Sequence, residues 1–240
     1  MISIFKKELR AFFSSATGYI VIGIFLLLTG LFLWVIPGEF NILDTRYANV
    51  DGLFYLAPWL FLFLCPAITM RFFAEEKQTG TWELLITKPL TVWQITLGKY
   101  LAGTILVILA LIPTLIYYYT VSYLAEPIGN VDSGQFWGSF IGLLFLAAVY
   151  VAIGTFSSSL SKNQVIAFII AVVLCFFFYY GFDVLTSFVS GGSKIQFVEN
   201  IGIHAHYKSI SRGVIDTRDI VYFMALSTLF LGLTVWKIKK

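Results

Sequence analysis

Six stretches of this chain run uncharged from one ionisable residue to the next, and no other feature restricts its fold so sharply. They lie between Arg10 and Glu39, Asp51 and Arg71, Lys99 and Glu126, Asp132 and Lys162, Lys162 and Asp183, and Asp219 and Lys237. Crossing about 30 Å of hydrocarbon takes roughly 17–25 helical residues. Even the shortest stretch, with 17, is long enough. Backbone polar groups find no water in a bilayer core, so each stretch must close its own hydrogen bonds as a helix. The expected fold is an all-α integral membrane protein with helices near 17–36, 53–72, 100–123, 137–159, 164–184 and 220–236.

Composition agrees. With 59% hydrophobic and 12% charged residues, the 240-residue chain carries more apolar surface than one soluble core could hide. The net charge of +3 therefore matters through its distribution, and nucleic acid is not an expected partner. Lys/Arg-rich short loops stay cytoplasmic. Placing both termini inside puts eleven of sixteen cations in the cytoplasm, leaving only Arg46, Lys194, Lys208, Arg212 and Arg218 outside. The topology expected is N-in, C-in, in one domain over 1–240 with a cytoplasmic loop at 73–99 and an outer loop at 186–218.

Residues 1–15 place Ile2, Phe5, Leu9, Phe12 and Phe13 on one helical face and Lys6, Lys7 and Arg10 on the other. This pattern predicts an interfacial helix on the inner leaflet. The apolar run that follows is longer than a signal-peptide core and ends in "VIPGEF" without a small-x-small cleavage site, so the first span is expected to be retained. Trp34, Trp137, Trp93, Trp236 and the clusters "IYYYTVSY" and "FFFYYGF" fall at predicted span ends, as aromatic belts do.

Several chemistries are not expected. No GxxxxGK[ST] loop is present, so nucleotide binding through a P-loop is not available to this chain. Cys65 and Cys175 fall within spans and read as small apolar groups. His204 and His206 lack a third ligand at zinc spacing and read as solvated or interfacial. No ionisable residue is expected deep within a span, which weakens a proton- or ion-coupled carrier. Gly138 and Gly142 form a GxxxG, a place for close helix approach within one chain or between two. In the outer loop, "SGGS" reads as a joint, followed by short amphipathic helices stopped by Gly213, with Asp216 capping the last span.

One cytoplasmic stretch stands apart: "FFAEEKQTGTWELLITKPL", Phe72 to Leu90. Gly80 should break the helix leaving the membrane, Thr81 should cap a new one, Glu83 sits in its first turn, and Pro89 limits it. The short helix would carry Trp82, Leu84, Leu85 and Ile86, apolar residues that need a cover.

These residues resemble the ABC-2 type permeases of ATP-binding-cassette exporters, whose loop after the second span looks like E-x-x-x-G-T-x-E-x-L-x-x-x-P-L, followed by G-K. Here the pattern is met by Glu76, Gly80, Thr81, Glu83, Leu85, Pro89 and Leu90, then Gly98 and Lys99. The wording "KELRAFFSSATGYI" is most similar to the gliding-motility-associated permease subunit. The resemblance implies a non-enzymatic subunit in the bacterial inner membrane. It implies a separate ATPase subunit carrying ATP and Mg, no cofactor on this chain, and a second permease chain, identical or different. It implies that Glu76, Gly80, Thr81, Trp82, Glu83, Leu84, Leu85 and Pro89 form the ATPase-coupling element. Two other readings stay open: a structural or sensory anchor without transport, and a self-contained carrier.

Overall fold

The computed structural model describes residues 1–45, 47–186, 195, 198–213 and 216–239. The "SGGS" joint lies outside the described residues, as do Arg46, Lys194 and Lys240 of the charge pattern. The described chain is helical, with α1 Ile2–Phe13, α2 Ala16–Val35 and α3 Ile42–Thr45. The second span is α4 Asp51–Thr69, continued by α5 Arg71–Gln78; the short α6 covers Thr81–Ile86. Then come α7 Val92–Leu124, α8 Ser133–Leu160, α9 Gln164–Thr186, α10 Ile203–Ile210 and α11 Thr217–Lys239. Among the described residues, six helices are long and apolar enough to cross a membrane: α2, α4 with α5, α7, α8, α9 and α11.

Local chemistry explains the helix starts. Thr91 and Gln94 form a reciprocal capping box on α7, Asp132 accepts from Gln135 N at 2.9 Å to open α8, and Asn163 accepts from Val165 N at 2.8 Å to open α9. Asp216 takes Arg218 N at 2.9 Å, as the sequence suggested, and Gly213 ends the preceding turn at φ +83°.

The third helix begins earlier than its charge boundary implied. Residue 100 was the expected start because Lys99 was treated as a loop charge; Lys99 instead lies inside α7 with its side chain fully buried. Partner carboxylates make that burial tolerable. The second span likewise runs on as α5, carrying Glu75, Glu76 and Lys77. The segment without a long helix is thereby shorter than the expected 73–99.

α8 is the central helix, packed against α4, α7, α9 and α11. Its small residues permit this. A Cβ on Gly154 would meet Thr69 Oγ1 at 2.1 Å, one on Gly142 would meet Ile210, and one on Gly138 would meet the Gly213 backbone at 2.6 Å. The GxxxG thus accommodates α10 and the turn after it, within the chain. By contrast α2 and α9 leave Ile20, Ile24, Leu27, Val165, Ile169 and Val173 exposed, the outward faces expected of helices solvated by hydrocarbon.

At the end remote from the termini, α10 is held by named polar contacts. Pro58 within α4 has no N–H for Phe54 O, and Tyr207 OH donates to that oxygen at 2.7 Å. His204 Nδ1 pairs with Asp183; His206 Nδ1 lies 2.7 Å from Asp219 and its Nε2 2.9 Å from Asn200 O. The histidines, expected to be solvated or interfacial, are partly exposed and fixed between α9 and α11 by these carboxylates. Sequence spacing could not show this, since each carboxylate is supplied by another helix.

Candidate functional site

The opposite end gathers both termini, α5, α6 and the α8–α9 turn. Lys77 Nζ donates to Ser159 O, and Lys77, Gly80, Trp82, Leu160, Lys162 and Lys237 line one cleft. Here the two separated parts of the sequence pattern meet. Lys99 Nζ lies 2.9 Å from Glu76 Oε1 and 2.7 Å from Glu8 Oε1, and donates to Phe72 O at 2.6 Å. It also sits 5.2 Å from the centre of the Phe73 ring, within cation–π range. Lys7 Nζ joins Glu76 Oε1 from α1. Burial pushes the Lys7 ammonium pKa down, but its hydrogen bond with Glu76 and the charges of Glu76 and Glu8 outweigh this and raise it above the ordinary lysine value.

Gly98 and Lys99 have separate tasks. A Cβ on Gly98 would sit 3.1 Å from Met1 O and 3.2 Å from Ile4, so the glycine admits α1 against α7 while Lys99 ties α1 to α5. Glu8 and Lys7 were missed in the sequence, although a signal existed. Glu8 is the one acid in a helix otherwise suited to anionic lipid, and an acid placed there needs a partner.

The break between α4 and α5 is filled by a side chain. Ser158 Oγ donates to Met70 O at 2.9 Å and accepts from Ala74 N at 3.2 Å and Phe73 N at 3.0 Å. The hydroxyl stands in for the backbone bond that would join Ala74 N to Met70 O, a recognised cause of local helix distortion.

Gly80 adopts φ +73° and turns the chain into α6. Thr81 does not cap that helix with its side chain; Gly80 is the N-cap, and the Thr81 hydroxyl is 2.9 Å from that of Thr79. Glu83 lies in the first turn as expected and is exposed. The apolar residues divide. Leu85 is buried by the rest of this chain, and Trp82 is half-buried, edge-on to Phe73 with ring centres 5.7 Å apart. Leu84 and Ile86 are 67% and 51% exposed, and Pro89 is exposed beyond them. Glu76 is buried in the ion cluster. The site residues thus form two layers: Glu76, Trp82 and Leu85 attach α6 and its stem to the bundle, while Glu83, Leu84 and Ile86 form a free face.

Six apolar bundle helices define a multi-pass helical membrane protein. The family model for ABC-2 family transporter protein matches residues 42–201, two-thirds of the chain, and the chain belongs to that family. The matched span contains α5, α6 and Lys99; α1, which supplies Glu8 and Lys7, lies outside it. No curated protein matches the chain. Family membership marks the chain as a membrane permease component of an ABC transporter, a class that works with an ABC ATPase.

Proposed function

We propose that this chain is the permease subunit of an ATP-driven exporter and that a separate ATPase docks on α6. The carrying observation is the division of α6 into an anchored inner face and a free outer face with Glu83, Leu84 and Ile86. The positive loop charges support a cytoplasmic position for this end. ATP binding on the partner would move α6; α5 and the Glu8–Glu76–Lys99 cluster would carry the displacement to the second and third spans and to α1. Pairing with a second permease chain rests on the family resemblance alone. The wording of the N-terminal helix supports the gliding-motility type and the bacterial inner membrane.

Co-purification tests the reading. The chain, expressed with a candidate ABC ATPase partner, should retain that ATPase and stimulate its hydrolysis, and Leu84→Asp should abolish both while leaving membrane insertion intact. Retention of the ATPase at wild-type level by Leu84→Asp and by Ile86→Asp would make the anchoring or sensory reading the better one.

A further inference from the structure

We propose that the cleft between α1 and the α4–α5 junction binds the headgroup of an ethanolamine phospholipid. The cleft has a volume of about 240 Å³, and its walls include Lys7, Glu8, Phe12, Arg71, Glu75 and Glu76. It lies beside an amphipathic helix whose Ile2 and Phe13 are exposed, the kind of helix that rests at the boundary between lipid headgroups and acyl chains.

Three features select the ligand. Glu76 is 6% exposed, yet its Oε2 has no hydrogen-bond partner among the described residues, while Oε1 serves Lys7 and Lys99. A buried carboxylate oxygen left unpaired is costly, and an N–H donor relieves it. An ethanolamine ammonium brings such donors; a choline ammonium has none. Second, the charges around the cleft balance, with Lys7, Arg71 and Lys99 against Glu8, Glu75 and Glu76. A net-neutral zwitterion preserves that balance, whereas an anionic lipid or a free cation upsets it. Third, the Lys7 side chain is 53% exposed on the rim, placed to meet a phosphate, and Phe12 and Ile68 give the glycerol carbons an apolar wall. The site is independent of the transport reading and would hold for an anchor as well.

The test is native mass spectrometry of the delipidated full-length chain in detergent, offered dioleoyl phosphatidylethanolamine, phosphatidylcholine and phosphatidylglycerol in turn. The expected result is retention of the ethanolamine lipid about tenfold above the choline lipid, the scale of a hydrogen bond to a charged group. Glu76→Gln should erase the preference, its fold checked by thermal melting. Should that variant fail to fold, Lys7→Gln on the rim should weaken retention of the ethanolamine and choline lipids alike, because both carry the phosphate it meets, and unchanged retention of both would overturn the proposal. Equal retention of the ethanolamine and choline lipids by the wild-type chain, stronger retention of phosphatidylglycerol, or an unchanged preference in folded Glu76→Gln would overturn the proposal. So would competition by soluble glycerophosphoethanolamine as strong as that of the lipid, which would make a free metabolite the ligand.

Discussion

Glu76 and Lys99 meet at 2.9 Å with the Lys99 side chain wholly enclosed, which joins the continuation of the second span to the interior of the third. Glu8 completes the contact from the N-terminal helix. A buried charge of this kind is stabilising only while its partners remain.

Lys99→Met should therefore be severe. It strands Glu8 and Glu76 with Lys7 as their remaining cation, and removing one member of a buried pair costs about 3–5 kcal/mol. The check is thermal unfolding in detergent micelles. The triple variant Glu8→Gln/Glu76→Gln/Lys99→Met removes the charges together and should regain most of the lost stability; a triple variant no better than the single one would count against an ionic origin.

The two faces of α6 should respond differently to truncation. Leu84→Ala leaves a fully stable chain with ATPase affinity reduced about tenfold, equivalent to ~1.4 kcal/mol. Trp82→Ala removes the ring packed against Phe73 and should lower the melting temperature as well as the affinity. Side-by-side melting and ATPase titration separate these effects. Equal loss of stability in both variants would show that Leu84 is not a free face.

His206→Ala leaves buried Asp219 without its imidazole, and its Oδ2 already lacks a partner among the described residues. A cost of about 1–3 kcal/mol is expected. Hydrogen–deuterium exchange should show faster exchange over 203–213, with a smaller change for His204→Ala, whose pair with Asp183 is more exposed. Chelators should not alter the wild-type pattern; protection lost on chelation would assign the histidines to a metal.

Single cysteines at Thr79, Ser133 and Lys239 occupy exposed positions, and the native Cys65 and Cys175 are buried and should stay silent. In intact cells an impermeant thiol reagent should label only the Ser133 variant. Labelling at Thr79 would reverse the orientation and remove the ATPase from reach of α6.

The six spans were legible because charge-free length is a local property that hydrocarbon thickness makes decisive. The break at Gly80 and a helix at 81–86 were legible for a similar reason, being set by one left-handed glycine and its near neighbours. The start of α7 carried a local signal in the Thr91–Gln94 capping box, but the charge of Lys99 masked it, because the local sequence does not reveal that Glu8 and Glu76 will enclose that lysine. Distant partners also hid Tyr207 at the Pro58 gap, Ser158 between α4 and α5, and the carboxylates that hold the histidines. The apolar residues of α6 illustrate the boundary well. Their need for cover was visible in the sequence, but only the packing shows that Leu85 is already covered and Leu84 is not.

Ser158 gives the second span a fulcrum. With a hydroxyl from α8 occupying the rung between Met70 and Ala74, the coupling proposed above would have α5 pry against the central helix instead of bending freely at its base. A push at α6 on one side of that pivot would reappear on the other as a tilt of α4. A short stroke at the membrane surface would then become a longer sweep at the far end, where α10 is pinned to α4 through Tyr207.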